Sequence, residues 1–127
     1  MYKEVVICIV VIVVIVSLDV LTQKYTRNTT SEITQIFSDL KGDMLDEDKN
    51  KIDGKVKILD EKWGQKHDRL AYYIEHDELE KVDTAIVSLK SYVETDDYSS
   101  AIAELDEGKF ILEHIQKKYA FNLENIF

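Results

Sequence analysis

The 127-residue chain has no proline, one cysteine and four glycines, Gly42, Gly54, Gly64 and Gly108. With so little to punctuate turns or strands, and with Glu, Asp, Lys, Leu and Ile abundant, the composition predicts long helices. The lone Cys8 excludes an intrachain disulfide and a CxxC metal knuckle. It lies inside an apolar run rather than at its end, so it reads as one more buried apolar side chain and not as a lipidation site. Four scattered glycines form neither GxxxxGK nor GxGxxG, and no serine stands in a Gly-x-Ser-x-Gly elbow. No phosphate loop or hydrolase nucleophile is therefore expected.

Positive charge is also short, with 16 Lys and Arg against 25 Asp and Glu for a net charge of −9. The excess is concentrated, because between Asp77 and Glu107 ten acids meet only Lys81 and Lys90. Such a field repels polyanions, which excludes nucleic acid as an expected partner and predicts a domain that stands off an anionic bilayer. The plain account of the ridge is a solvated face that keeps the domain soluble. The functional account makes it a partner face, with Glu78, Glu80, Asp83, Glu94, Asp96 and Asp97 as the candidate residues.

What the chain has in excess is a hydrophobic run. Val5, Val6, Ile7, Cys8, Ile9, Val10, Val11, Ile12, Val13, Val14, Ile15 and Val16 follow without a polar side chain, and in water such a β-branched segment would pair edge to edge and aggregate. From Val5 to Leu18 a helix would be about 21 Å long, short of the ~30 Å hydrocarbon layer and close to a signal-peptide core. Ser17 to Leu21 offers no small-residue pair for cleavage. The segment 1–21 is thus expected to stay as a signal anchor, extended to Leu21 to reach about 17 residues, with Asp19 near one interface and Tyr2 and Tyr25 as aromatic flanks. Lys3 on one side is nearly balanced by Lys24 and Arg27 on the other, and the short head resembling a signal n-region favours a single-pass protein of the cytoplasmic membrane with its domain outside.

Residues 22–31 are polar and read as a juxtamembrane linker or as a helical extension of the anchor; the sequon Asn28-Thr29-Thr30 matters only in a secretory eukaryotic setting. Residues 32–127 read as an acidic helical bundle. Thr29 and Glu32 have the spacing of a capping box, opening a helix from about Thr30 to Leu45 with Ile33, Ile36, Phe37, Leu40 and Met44 on one face. Asp46 or Asp48 is expected to cap a second helix carrying Ile52, Val56, Leu59, Trp63, Leu70 and Ile74, continuous to Glu75, with Gly54 and Gly64 leaving room for a bend beside Trp63. Asp77, followed by Glu80, is expected to open a third with Leu79, Val82, Ile86, Leu89 and Val93 stepping by three and four. A fourth from about Tyr98 places Ile102, Leu105, Leu112 and Ile115 inward and Gly108 where a neighbouring helix can approach closely. Asn122 is expected to cap a last short turn, folding Phe121, Leu123, Ile126 and Phe127 back. The predicted class is all-α: an N-terminal transmembrane helix followed by an antiparallel bundle of about four helices.

Trp63, the stretch YYIEHDELEKVD from Tyr72 to Asp83, SLKSYVETDD from Ser88 to Asp97, and the close LEHIQKKYAFNLENIF give the chain a family resemblance. It resembles the bacterial domain-of-unknown-function family 4363 over nearly its whole length. The resemblance implies an anchored helical envelope protein and brings no activity to any residue. Gly54 and Lys55 depart from it, standing where larger or helix-favouring residues are expected.

Chemistry-bearing clusters are few. His76 precedes Asp77 and Glu78, and His114 follows Glu113, but neither histidine belongs to HExxH or an i, i+4 pair, so backbone capping is the plainer reading and no metal or cofactor is expected. His67 falls on the apolar stripe and reads as a partly buried, satisfied residue. Trp63, Tyr72, Tyr73, Tyr92, Tyr98, Phe110, Tyr119 and Phe121 either build the core or line a cavity for a small apolar solute. The expectation is a non-enzymatic interaction or accessory module, touching lipid through its N-terminal helix and a membrane or envelope protein through its acidic face, with self-association left open. The alternative is a sensory or solute-binding bundle with an aromatic cavity.

Overall fold

The computed structural model describes the backbone of residues 1–126 and the side chains of residues 1–120. Four helices follow one another, α1 Tyr2–Leu45, α2 Lys49–Leu70, α3 His76–Glu94 and α4 Tyr98–Ile126, and the described residues contain no strand.

The first of these is one uninterrupted helix of 44 residues, about 66 Å long at 1.5 Å per residue. No glycine or proline precedes Gly42, so nothing in the chain stops it. Residues 22–31 are therefore helical, and the capping box expected at Thr29 and Glu32 does not form. Thr29 is buried inside the helix, and Glu32 reaches across to Lys62 (2.6 Å) and Lys66 (3.6 Å) on α2. Thr22 and Thr26 donate their hydroxyls back to the carbonyls of Asp19 (2.9 Å) and Thr22 (2.7 Å), which lets short polar side chains enter a packed surface.

Asp48 caps α2 by accepting from the Lys51 amide. That helix runs through Gly54 and Gly64 but ends at Leu70, short of the expected Glu75. The reason is tertiary: residues 71–75 turn so that Ile74 enters the core and the Tyr73 hydroxyl reaches α1. Next, α3 starts at His76 with Glu75 as N-cap and no side-chain cap bond, so the expected Asp77–Glu80 box is absent. The Glu75 amide is satisfied instead by the Tyr119 hydroxyl, 2.8 Å away. Asp97 precedes α4 and accepts from the Ser100 amide. The helix passes through Asn122 without a break, so Asn122 caps no separate turn. The expected packing of Phe121, Leu123, Ile126 and Phe127 lies outside the described side chains.

From Thr26 onward α1 packs against α2 and α4, and α3 packs against α4 and more slimly against α2, giving an antiparallel four-helix bundle. Its core is Ile33, Phe37, Leu40 and Met44 with the stripes of the other three helices, including Ile52, Leu59, Leu79, Leu89, Leu105 and Leu112. Gly108 sets how closely α1 and α4 approach: a β-carbon there would lie 2.9 Å from Cε2 of Phe37. The Lys41–Asp106 ion pair (3.1 Å) holds the same register one turn away. At the far end the α1–α2 and α3–α4 loops use Glu47 (φ 54°) and Asp96 (φ 55°) in the left-handed position that glycine usually takes after a helix.

Candidate functional site

Two regions of the molecule present chemistry: the apolar first half of α1, and the surface where α3 and α4 meet. The side chains from Val5 to Ile15 stand exposed all round the helix, Cys8 among them, and Val16 is partly covered. Valine and isoleucine are mediocre helix formers in water, but in a bilayer a helix is the one single-segment structure that satisfies its own backbone. α1 is long and apolar enough to cross a membrane, and the apolar stretch that qualifies it is not buried within the protein at all.

Where this stretch meets the bundle, at its foot, the tyrosines form a latch. The hydroxyl of Tyr73, from the α2–α3 turn, lies 2.7 Å from the Thr26 hydroxyl and donates to the Thr22 carbonyl (3.3 Å). Burial pushes its ionisation above the usual tyrosine range, so it stays a neutral donor. The Tyr119 ring packs edge-on against Tyr73 at 6.4 Å, and its hydroxyl holds the Glu75 amide. The α2–α3 turn, and through it α4, is thus tied to the segment leaving the apolar half.

The six acids expected to form one partner face do not lie together. Glu78 is 8% exposed and paired with Lys118 (3.3 Å), whose ammonium it holds above the ordinary lysine range. Asp83 faces α2, accepting from the Trp63 indole (2.6 Å) and standing 3.1 Å from Nε2 of His67. Glu94, Asp96 and Asp97 are at the other end of α3, where Asp96 neighbours Lys49 (3.8 Å) and Asp97 caps α4. Only Glu80 stands exposed along the open side of α3. The reason is geometric: residues 78 and 94 are about 24 Å apart along a helix, and the 3.6-residue period turns Glu78 and Asp83 toward neighbouring helices.

Packing assembles a different set. Asp77, Glu80, Lys81, Thr84, Ala85 and Ser88 of α3 face Glu104, Glu107, Phe110 and Ile111 of α4 across an open groove of about 790 Å³. Four carboxylates and one lysine surround an apolar strip whose Phe110 is 70% exposed. Burial, aided by the neighbouring charge of Glu107, raises the Glu104 carboxyl above the usual range. A cation in the groove would relieve that pressure. Sequence reasoning counted these acids within the ridge but singled out only Glu80, because Glu104 and Glu107 join Asp77 only through the pairing of α3 with α4.

The aromatic residues are dispersed rather than gathered. Trp63 is in the core, Tyr72 is 89% exposed in the turn, Phe110 lies in the groove, Tyr73 and Tyr119 pair at the foot, and Tyr92 and Tyr98 pack at the core edge; the Phe121 side chain is outside the described residues. His76 and His114 are both exposed, on different helices, and among the described residues no three metal-binding side chains converge.

The family described as Domain of unknown function (DUF4363) matches residues 20–126. The chain belongs to this family. The matched span starts at Val20, beyond the Val5–Val16 run, so it covers the bundle together with the helical segment that enters it. No curated protein and no solved structure matches the chain.

Proposed function

We propose that this DUF4363 protein is a non-enzymatic, single-pass membrane protein whose bundle stands outside the bacterial cytoplasmic membrane and grips a basic, amphipathic segment of an envelope partner. The observation that carries the reading is the α3–α4 groove: an apolar strip with an exposed phenylalanine, rimmed by Asp77, Glu80, Glu104 and Glu107. Phe110 and Ile111 offer apolar contact, and the carboxylates select lysine or arginine beside it and disfavour acidic competitors. Anchoring by α1 confines both proteins to one surface, so a modest contact suffices. The latch at Tyr73 supports the same reading, because it holds the groove at a set height and orientation relative to the apolar segment.

The test is site-specific photocrosslinking from position 110 in native membranes. A crosslink to one membrane-associated protein is expected, lost in Glu104→Lys/Glu107→Lys and regained when a basic residue of the partner is reversed to glutamate. Crosslinks indifferent to charge reversal, or formed only between copies of this chain, would overturn it. Orientation has its own readout: Cys8 lies in the apolar run, so a cysteine placed at Ser99 is the one site expected to react with an impermeant maleimide on intact cells.

A further inference from the structure

At the foot of the bundle a second, smaller cleft of about 260 Å³ is walled by Leu18, Leu21, Thr22, Tyr25, Arg69 and Tyr73. Its lower wall is apolar and exposed, with Leu18 at 57% and Leu21 at 61%, and its upper wall is polar. Resting on the reading that α1 spans the bilayer, we propose that this cleft holds the phosphate of an anionic phospholipid, with Arg69 as the principal ligand and the acyl chains lying along Leu18 and Leu21.

The placement suits that ligand. Leu21 and Tyr25 are one helical turn apart, about 6 Å along the axis, so Arg69 stands within the headgroup layer if Leu21 marks the end of the hydrocarbon. A guanidinium can meet two phosphate oxygens at once, and among the described residues Arg69 makes no ion pair, whereas Lys66 beside it is committed to Glu32. Lys66 also sits over the Tyr25 ring, 5.4 Å from its centroid, adding positive charge behind the cleft. The Tyr25 hydroxyl is closed off with no hydrogen-bond partner among the described residues, leaving a donor that an adjacent phosphate could satisfy on a small ring movement.

Charge along the bundle axis points the same way. Residues 20–31 contain Lys24 and Arg27 and no acid, while residues 94–107, reaching from the far end, contain six acids and no base. The α1–α2 side of the foot, with Lys24, Arg27, Lys66 and Arg69, is therefore its basic side, while Glu75, Asp77 and Glu78 lie on its α3 side.

The full-length chain is reconstituted in nanodiscs of equal phosphatidylcholine and phosphatidylglycerol, released into mild detergent, and its retained lipid identified by native mass spectrometry. Wild type is expected to keep one phosphatidylglycerol in about tenfold preference; Arg69→Gln lowers the preference to near unity, Arg69→Lys keeps part of it, and Arg27→Gln, outside the cleft, keeps it all. An equal loss in Arg27→Gln, or no preference in wild type, would overturn the site, as would displacement of the lipid by inorganic phosphate. Failure of the chain to enter nanodiscs would overturn the spanning reading and this site with it, a result distinct from entry without lipid preference.

Discussion

The two halves of α1 share one backbone and nothing else. From Val5 to Val16 the side chains are apolar on every side and touch almost nothing in the protein; from Thr26 to Met44 a stripe of apolar residues is buried against the other helices and most of the rest is polar. A helix that is hydrophobic all round requires an apolar surrounding, whereas a one-sided stripe requires partner helices. The same secondary structure thus meets two different demands: the first half is apolar and long enough to cross a membrane, and the second is held by the bundle's own core.

The sharpest way to break this comparison is to make the same kind of change in each half. Leu40→Ala should lower bundle stability by about 2–5 kcal/mol through the cavity it leaves. Val11→Ala should leave stability within about 0.5 kcal/mol. Both are read from denaturant unfolding in micelles, using the fluorescence of Trp63, the only tryptophan and a buried one. Val11→Arg should cost about 2.5–3.5 kcal/mol of membrane insertion and move protein to the soluble fraction, with the bundle still folded; retention in membranes would argue against α1 as the anchor.

A smaller effect separates two glycines. Gly108→Ala should destabilise by about 1 kcal/mol, because crowding against the Phe37 ring outweighs the gain in helix propensity. Gly54→Ala, with nothing within 4 Å, should stabilise by about 1 kcal/mol. Equal signs in the two melts would mean that α1 and α4 do not approach as described. At the border between the halves, Tyr73→Phe should cost about 1 kcal/mol and speed amide exchange near Thr22 and Thr26. The smallest change lies just past the end of α1, where Glu47→Gly should relieve the left-handed backbone and raise stability by about 0.5 kcal/mol in the same denaturant unfolding.

Much of the architecture was legible because helix periodicity is local. The stripe from Leu79 to Val93 is buried as its three-four spacing predicts, and so are Ile33, Phe37, Leu40 and Met44. Helix ends were less legible. Thr29 and Glu32 have the spacing of a cap, yet α1 passes through them, and α2 stops at Leu70 because Tyr73 and Ile74 are needed elsewhere. The candidate site was the least legible: Asp83 sits beside Asp77 and Glu80 in sequence but points at Trp63 and His67, while Glu104 and Glu107, more than twenty residues on, complete the groove.

By itself the sequence determined that this protein is helical, that its first twenty residues suit lipid, and which side chains face inward, since each follows from composition and from a 3.6-residue period that any short window contains. Only the tertiary structure decided which carboxylates are neutralised by a lysine, which surround Phe110, and which hydroxyls tie the bundle to the apolar segment. Many of those contacts join residues far apart in the chain, 40 positions for Glu78 with Lys118 and 51 for Tyr73 with Thr22. Their energies depend on distance and local burial, which come into being only when the helices pack.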